Sequence, residues 1–274
     1  MATLQTLLKQ AKRVFPDEPV AEFFVRGLTD KTRLEMYTDK SPVSQEVFSQ
    51  AQNLLSAYKP NLPVQYLLRK AYFLSYELYV DERVMIPRFE TEDLVMLTVK
   101  RLADCGLRSA VKSILDIGAG SGAIAIALAD IFPKAKIIAT DISSDALEVA
   151  RININKYNLQ DRLELYQADL FSGLEHVEFD LIISNPPYIP NNEIENLRPT
   201  VKDFEPRLAL DGGKQGFEII ERIIKETKGW MNPVGLLAME IDPRQAEPIK
   251  AQAHWVDFEK DNQGLVRYAF IKGG

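Results

Sequence analysis

The sequence contains few of the residues that build disulfide frameworks or multi-ligand metal sites. Its 274 residues include one cysteine, Cys105, and two histidines, His176 and His254, which lie far apart. One cysteine cannot form an internal disulfide, and two distant histidines give little support to a zinc site. We therefore expect no metal, interpret Cys105 as a small buried side chain, and place both histidines on the surface.

Long apolar stretches are also missing. No apolar run reaches the roughly 18 residues that a membrane-spanning helix needs. The N-terminal segment carries Lys9, Lys12 and Arg13 in an amphipathic pattern. It lacks the apolar core and the small-residue cleavage site of a signal peptide. We expect a mature cytoplasmic protein, a monomer, that does not associate with membranes.

Basic residues are fewer than acidic ones. There are 33 lysines and arginines against 39 aspartates and glutamates, which gives a net charge of −6. Proteins that grip nucleic acid through its phosphates usually carry a basic footprint. The balance disfavours direct nucleic-acid binding and is compatible with an acidic enzyme that acts on another protein.

The composition is that of an ordinary globular protein, and the pattern changes twice along the chain. Residues 1–70 show helical periodicity, as in Leu4, Leu7, Leu8 and Ala11. Ser41-Pro42 has the order of a helix cap and a first helical position. We predict a helical N-terminal domain over 1–70, a β-hairpin linker over 71–90, with strands 71–74 and 77–80, and a second domain over 91–274.

Strands and helices alternate from residue 112 onwards. We predict strands, separated by helices, at the apolar runs 113–117, 136–140, 163–167, 179–184 and 236–241. We predict a closing antiparallel hairpin at 255–259 and 266–271. This alternation predicts an α/β fold with a mostly parallel, doubly wound sheet.

A stiff turn follows the strand at 179–184. Asn185-Pro186-Pro187-Tyr188 cannot continue a sheet, because proline has no N–H and a fixed φ. The two prolines leave carbonyl groups without matching donors, beside an amide and an aromatic ring. Such a turn is suited to accepting hydrogen bonds from a planar NH₂ group, although a strand-ending Asx turn is the structural alternative.

A glycine-rich turn follows the strand at 113–117. Gly118, Ala119, Gly120, Ser121 and Gly122 precede a helix, and glycine allows close backbone approach. A turn of this kind at the carboxyl end of a strand is where nucleotides bind in open α/β sheets. Asp141 ends the next strand, at the spacing expected of a carboxylate that binds ribose hydroxyls.

The nucleotide is either NAD or S-adenosylmethionine. The glycine pattern is G-x-G-x-G rather than the G-x-G-x-x-G of dinucleotide sites, because position 123 is alanine. Asp116 has no role in a pyrophosphate site but can help to hold the amino end of a methionine moiety. Asp169 is placed to bind the adenine amino group, and Leu170 to pack on the ring. These features favour S-adenosylmethionine.

Three further residues have a structural and a functional interpretation. Glu90 and Thr91 either start a helix, Thr91 as the cap, or contribute to the substrate pocket. Arg207 is interpreted first as a member of a structural ion pair.

The chain resembles class I methyltransferases that modify planar NH₂ nitrogens, and within them the HemK-type peptide chain release factor glutamine methyltransferases. The resemblance covers nearly the whole chain. It implies a seven-stranded Rossmann-like sheet, S-adenosylmethionine as cofactor with S-adenosylhomocysteine as product, and class 1 release factors as partners. The stretches that carry it are 63–68, 86–92, 116–122, 184–190, 205–210 and 264–267.

The resemblance also implies the target and the recognition element. The methyl acceptor would be the glutamine of the Gly-Gly-Gln motif, and the helical N-terminal domain would recognise the release factor. The sequence departs from the family pattern at Arg69, where glycine is usual, at Phe89, where proline is usual, at Gln215, where aspartate is common, and at Asp242, where glycine is common.

For the reaction, we expect the side-chain oxygen of Asn185 and the carbonyl of Pro186 to accept the two N–H groups of the amide. Tyr188 would pack on the amide plane, beside Pro187. The alternatives are a ribosomal protein glutamine methyltransferase, a nucleic-acid amino methyltransferase acting on adenine or guanine, and an NAD-dependent oxidoreductase.

Overall fold

The computed structural model describes residues 2–15, 17–253 and 255–273. The chain divides into two compact units, residues 1–70 and 71–274. The sequence predicts that the first helix is broken at Pro16 and that His254 lies on the surface; both residues lie outside the described residues. In the part of the chain that is described, no helix is long and apolar enough to cross a membrane.

The first unit is helical. An apolar face of the first helix, formed by Leu4, Leu7, Leu8 and Ala11, is buried among residues of the other helices. The helices are α1 (Leu4–Val14), α2 (Glu18–Thr29), α3 (Arg33–Thr38), α4 (Gln45–Ala57) and α5 (Val64–Leu68).

The predicted cap at Ser41-Pro42 is wrong, because α4 begins three residues later. The side chain of Ser44 accepts a hydrogen bond of 3.2 Å from the backbone N–H of Val47 and is the N-cap. The N–H of Ser41 instead donates to the carboxylate of Asp39 at 2.8 Å, in a turn before the helix.

Arg69 ends α5 in the left-handed region, with φ of +53°. This explains why glycine is usual at that position, since an L side chain there is strained. Phe89, the second departure, is the first residue of a helix that spans Phe89–Asp104, a position that tolerates proline well and does not require it.

The second unit begins with a small hairpin, β1 (Ala71–Phe73) and β2 (Tyr76–Leu78), in which Phe73 pairs with Tyr76. The strands are shorter than predicted, because the chain already turns at Leu74, whose φ is +51°. The helices that follow are α6 (Phe89–Asp104), α7 (Ala123–Ile131), α8 (Ser144–Lys156), α9 (Pro199–Lys202), α10 (Glu218–Thr227) and α11 (Ala246–Gln252).

Within the described residues, seven strands form one sheet in the order β5-β4-β3-β6-β7-β9-β8. All neighbours from β5 to β7 are parallel, and β9 pairs antiparallel with both β7 and β8. The predicted α/β fold is thus confirmed. The strands are β3 (Ser113–Ile117), β4 (Lys136–Asp141), β5 (Leu163–Gln167), β6 (Phe179–Ser184), β7 (Met231–Glu240), β8 (Val256–Lys260) and β9 (Val266–Lys272).

Both faces of the sheet are covered. Ile114 packs into a core with side chains of α6, α7 and α8, while the next residue, Leu115, packs into a second core with side chains of α10 and α11. This alternation follows from the two-residue period of a strand. The strand order reverses between β3 and β6, and ligands bind at the carboxyl ends of strands at such a point.

Candidate active site

A cavity of about 300 Å³ opens at the carboxyl ends of β3, β4 and β6. Most of the sequence-predicted site residues line it, although they come from distant parts of the chain. The predicted residues in its wall are Thr91, Gly118, Gly120, Ser121, Asp141, Asp169, Leu170, Asn185, Pro186 and Pro187. Asp116, Ala119, Gly122, Tyr188 and Glu90 do not line it.

The glycine loop is tied to the neighbouring strand. The backbone N–H groups of Gly118 and Ala119 both donate to the carbonyl of Thr140 at 2.8 Å. Gly118 has φ of +81°, and the closest atom that a Cβ there would meet is the carbonyl oxygen of Asn185, at 3.9 Å. The loop therefore presents open backbone towards the cavity and the Asn-Pro-Pro-Tyr turn.

Asp141 joins the loop to the wall of the cavity. Its Oδ2 accepts a hydrogen bond of 2.9 Å from the N–H of Gly120, and its Oδ1 accepts one of 2.9 Å from Ser143. Burial raises the pKa of Asp141, against the effect of these N–H groups. A carboxylate thus stands at the end of β4, where a diol could donate to it.

Asp116 lies behind the loop. It is fully buried, and its Oδ2 accepts a hydrogen bond of 3.1 Å from the N–H of Ala125 in the first turn of α7. Its Oδ1 is buried without a hydrogen-bond partner among the residues that the structure describes. The pKa of Asp116 is raised to about 7, chiefly by burial. The negative charge of Asp141 contributes to this rise, and the hydrogen bond from the N–H of Ala125 opposes it.

Asp169 and Leu170 lie on the side of the cavity next to β4 and α10. The sequence missed the partner of Asp169, Arg222, whose two terminal nitrogens donate to the carboxylate at 3.0 and 3.1 Å. Nothing in the local pattern of α10 distinguishes this arginine from other exposed cations. The bidentate pair fixes the plane of the Asp169 carboxylate at the rim.

The Asn-Pro-Pro-Tyr turn is anchored on both sides. Before it, the hydroxyl of buried Ser184 donates to the carbonyl of Ile117 at 2.7 Å, which joins β6 to β3. After it, the N–H of Ile189 donates to the carbonyl of Leu210 at 3.1 Å, and the N–H of Gly212 donates back to Ile189 at 2.9 Å. The stretches 184–190 and 205–210 therefore form one wall.

A chain of hydrogen bonds runs behind this wall. Nδ2 of Asn185 donates to Oγ1 of Thr91 at 2.8 Å, and that hydroxyl donates to Oε2 of Glu240 at 2.7 Å. The hydroxyl of Tyr188 donates to Oε1 of the same carboxylate at 2.9 Å. Glu240 is 2 % exposed, and sequence reasoning missed it, because a single acidic residue at the end of an apolar strand carries no motif.

These hydrogen bonds bear on the predicted roles of Thr91 and Tyr188. Thr91 is not a helix cap: α6 begins at Phe89 with Arg88 as N-cap, and the Thr91 side chain lies on the buried face of the helix. Tyr188 packs against the core beneath the sheet instead of lining the cavity, so packing on a substrate plane receives no support. Glu90 is half-buried at the start of α6, outside the wall.

The stretches 86–92 and 205–210 are joined by an ion pair. The guanidinium of Arg88 donates to Oε1 of Glu205, whose side chain is buried. Burial raises the pKa of Glu205, while Arg88 lowers it. Arg207 is exposed and pairs with Asp211 at 3.3 Å, in agreement with its structural interpretation.

The two remaining departures lie beside Tyr188. Oδ1 of Asp242 accepts a hydrogen bond from the N–H of Arg244 at 2.9 Å, and the next side chain, Gln245, donates to the carbonyl of Tyr188 at 3.2 Å. The N–H of Gln215 donates to Glu218 at 3.2 Å. These contacts stabilise the loops and do not touch the cavity.

Cys105 is exposed at the end of α6, so the expectation that it is buried is wrong. The helix passes its last apolar contact at Leu102, and the chain then turns through solvent. His176 is exposed as expected, and its ring stacks on Trp230 at 5.1 Å.

The sequence profile of the family described as methyltransferase small domain matches residues 97–200. Among curated proteins, a release factor glutamine methyltransferase of Rhodopirellula baltica is 40% identical over 85% of this chain and 79% of its own length. A ribosomal protein uL3 glutamine methyltransferase of Francisella tularensis is 39% identical over 67% of this chain and 57% of its own length.

Among solved structures, a 16S rRNA methyltransferase of T. thermophilus in complex with AdoMet and guanosine has a TM-score of 0.54. It is 15% identical in sequence and covers 75% of this chain, which in turn covers 50% of that chain. At this identity the likeness concerns the fold alone. It agrees with the doubly wound sheet described above.

Proposed function

Because this chain belongs to the family of release factor glutamine methyltransferases, we propose that it methylates the side-chain nitrogen of the glutamine in the Gly-Gly-Gln motif of class 1 release factors. The methyl donor in this proposal is S-adenosylmethionine, and the product is S-adenosylhomocysteine. The observation that carries the proposal is the arrangement of Asn185, whose Nδ2 is held by Thr91. Among the described residues, no hydrogen bond engages its Oδ1.

The residues that line the cavity, together with Asp116 behind the glycine loop, fit this cofactor. The open backbone at Gly118 leaves room for a ligand, and the carboxylate of Asp141 is placed for ribose hydroxyls. The buried Oδ1 of Asp116 has no partner within the described chain, which suits the amino end of a methionine moiety, reached directly or through water. Asp169 and Leu170 would hold the adenine group.

When bound, S-adenosylmethionine supplies an electrophilic methyl group on a sulfonium. An amide nitrogen is a poor nucleophile, because its lone pair is delocalised into the carbonyl. Alignment is therefore the main task of the protein, and it can contribute up to roughly 7–11 kcal/mol. Oδ1 of Asn185 and the carbonyl of Pro186 accept the two N–H groups and turn the nitrogen's π face towards the methyl group.

The same two acceptors favour the positive charge that develops on the nitrogen as the N–C bond forms and the C–S bond breaks. The amide proton then leaves to solvent, so the reaction requires no general base. Pro187 stiffens the turn and forms part of the wall of the cavity.

The helical unit, residues 1–70, is proposed to recognise the release factor, and residues 71–90 to link it to the methyltransferase domain at 91–274. The net charge of −6 is compatible with a protein partner. We further propose that the enzyme is a cytoplasmic monomer that makes no direct contact with nucleic acid.

A ribosomal protein is the second candidate substrate, because a relative at 39% identity carries that name. The amide chemistry is the same for both substrates, and the cavity serves either. Discrimination would then lie outside residues 185–188.

One experiment decides between them. The purified protein is incubated with methyl-labelled S-adenosylmethionine and either a class 1 release factor or ribosomal proteins, and the labelled peptides are identified by mass spectrometry. We expect label on the glutamine of Gly-Gly-Gln, and none on a release factor in which that glutamine is glutamate. Label on a ribosomal protein or on RNA, with none on the release factor, would contradict the proposal.

A further inference from the structure

We propose that Glu240 sets the direction of a hydrogen-bond chain through Thr91 to Asn185, so that the site accepts a glutamine amide and rejects a glutamate carboxylate. The inference rests on the proposed amide methylation and names the residues that enforce its specificity. Glu240 and Thr91 act as positioning residues, since neither needs to touch the reacting atoms.

The chain of contacts is continuous and enclosed. Glu240 and Thr91 are 2 % and 5 % exposed, and the two hydrogen bonds from Asn185 to Thr91 and from Thr91 to Glu240 measure 2.8 and 2.7 Å. The three residues come from α6, from the end of β6 and from the end of β7. The contact between Thr91 and Glu240 is buried, and the one from Asn185 is half-buried, so the hydroxyl of Thr91 must find its acceptor within the protein.

The direction follows from the number of hydrogens. An ionised carboxylate only accepts, and a threonine hydroxyl has a single hydrogen to donate. Since the Thr91 hydroxyl gives its hydrogen to Glu240, its oxygen can only accept from Asn185. The NH₂ group of Asn185 is thereby fixed towards Thr91, and its Oδ1 points the other way.

Tyr188 completes the arrangement, because its hydroxyl donates to the second oxygen of Glu240 at 2.9 Å. Both oxygens of the carboxylate thus accept from neutral donors. The charged groups that face Glu240 are Glu90 from α6 and Arg267 from β9. Tyr268 is directly opposite it in the sheet.

An acceptor pair is selective for an amide. The NH₂ of glutamine donates to Oδ1 of Asn185 and the carbonyl of Pro186, while a glutamate carboxylate has no hydrogen to give and would face two oxygens. A site built to pair with a polar group rejects an isostere that cannot pair, because its buried groups are left unsatisfied.

The direction depends on the ionised state of Glu240. A protonated carboxyl donates one hydrogen, which can reverse the chain: Thr91 then donates to Asn185, whose NH₂ turns towards the cavity. Burial raises the pKa of Glu240 above its ordinary value of 4.5, while Thr91, Tyr188 and Arg267 lower it and Glu90 raises it. Selectivity should therefore decline on acidification at a higher pH than for an exposed glutamate.

The test measures discrimination as well as activity. Release factor with Gly-Gly-Gln is the substrate, and the same protein with Gly-Gly-Glu is the competitive inhibitor. In Thr91→Val the hydroxyl is lost at nearly constant shape, so the ratio of glutamate to glutamine affinity should move towards one by at least about tenfold. Thr91→Ser should restore the ratio.

A second variant changes the carboxylate itself, and a control removes a buried hydroxyl that is not part of the hydrogen-bond chain. Glu240→Gln introduces an NH₂ group that can donate to Thr91, so discrimination between glutamine and glutamate should fall at every pH. Because glutamine does not titrate, the remaining discrimination should no longer decline on acidification. Thr98→Val is the matched control, since Thr98 is buried on the same helix and its hydroxyl donates to the carbonyl of Leu94 instead. It should leave the ratio unchanged.

The outcomes separate the two proposals. Loss of turnover in Thr91→Val and Glu240→Gln with an unchanged glutamate-to-glutamine ratio, in variants that melt cooperatively, would overturn the inference and leave the proposed function standing. A wild-type protein that methylates no glutamine at all would overturn both. A ratio of glutamate to glutamine affinity that rises towards one in both variants, and returns to the wild-type value in Thr91→Ser, supports the inference.

Discussion

The backbone N–H of Gly120 donates to Oδ2 of Asp141 at 2.9 Å, so the carboxylate that ends β4 also closes the glycine loop. One residue therefore shapes the loop and faces the cavity. Loss of the carboxylate should affect cofactor affinity through both routes.

The first prediction is that Asp141→Ala raises the dissociation constant of S-adenosylhomocysteine by roughly 10- to 100-fold, the range expected when hydrogen bonds to a charged group are lost. Turnover at saturating cofactor should change much less, because the proposed role of Asp141 is to bind the ribose hydroxyls and not the acceptor amide. Calorimetric titration measures the first quantity and a methylation assay the second.

Asp180→Ala is the matched control. Asp180 also accepts backbone N–H groups, from Lys112 and Ser113 at 2.8 and 3.0 Å, but at the amino end of the strands. It should lower stability without changing the dissociation constant. A similar loss of cofactor affinity in both variants would show that general unfolding, and not Asp141, is responsible.

The second prediction concerns Asn185→Ala, which removes the side-chain acceptor for the substrate amide. By analogy with removal of one preorganised group in other active sites, kcat should fall by roughly 10²–10³-fold. Affinity for S-adenosylhomocysteine should fall far less. Equal losses of turnover and cofactor affinity would count against the assigned role of Asn185.

Much of this site is local in sequence and could be predicted. The loop at 118–122 and the turn at 185–188 owe their shapes to glycine and proline, whose backbone preferences act within a few residues. The parallel sheet then brings the loop and turn together, because the carboxyl ends of parallel strands meet at one edge. The alternation of strands and helices was enough to predict that edge.

A pocket position was one of two interpretations of Thr91, but its hydrogen-bond partner could not be predicted, because that partner is distant in sequence. Its acceptor, Glu240, is 149 residues away in the sequence, and a threonine in the first turn of a helix, three residues after the true cap, looks like a capping residue. The Ser41-Pro42 cap failed because another serine, Ser44, lies three residues on. Cys105 was misplaced because burial depends on where the helix leaves the core.

The third prediction follows from the burial of Asp116, whose pKa is about 7 in the folded protein and 3.8 as an ordinary value. A raised pKa means that the folded state prefers the neutral carboxyl. The free energy of unfolding therefore falls as the pH rises from about 4 to about 7. Asp116→Asn keeps an acceptor for Ala125 and does not ionise.

The stability of Asp116→Asn relative to the wild type should accordingly increase by roughly 3 kcal/mol between pH 5 and pH 8, since each unit of pKa difference corresponds to about 1.4 kcal/mol. Denaturant titrations of the cofactor-free proteins at the two pH values measure this. A difference that does not change with pH would show that Asp116 does not titrate in this range.

The fourth prediction is that Arg69→Gly stabilises the helical unit. Arg69 has φ of +53°, a conformation that costs an L residue roughly 1–2 kcal/mol. Glycine relieves this strain but is more flexible in the unfolded chain, so we expect a net gain of about 0.5–1 kcal/mol. Arg69→Ala, which removes the side chain and retains the strain, is the comparison; a larger gain in Arg69→Ala would contradict the explanation.

The fifth prediction tests the ion pair between Arg88 and Glu205. Removal of one partner of a buried pair leaves a charge without compensation. Because the side chain of Arg88 is 35% exposed, we expect Arg88→Met to cost about 2 kcal/mol, below the full range for buried pairs. Arg207→Met, at an exposed arginine, should change stability by less than about 0.5 kcal/mol.

The pH dependence of the fifth prediction has a definite sign. Burial already raises the pKa of Glu205, and loss of Arg88 removes the main opposing charge, so the pKa rises further. The folded state of Arg88→Met then prefers a neutral Glu205, and its stability falls as the pH rises towards that pKa. The deficit against wild type should be larger at pH 8 than at pH 5, and Arg88→Met/Glu205→Gln should recover much of it. An equal deficit at both pH values, with no recovery in the double variant, would mean that Arg88 contributes through packing of its stem.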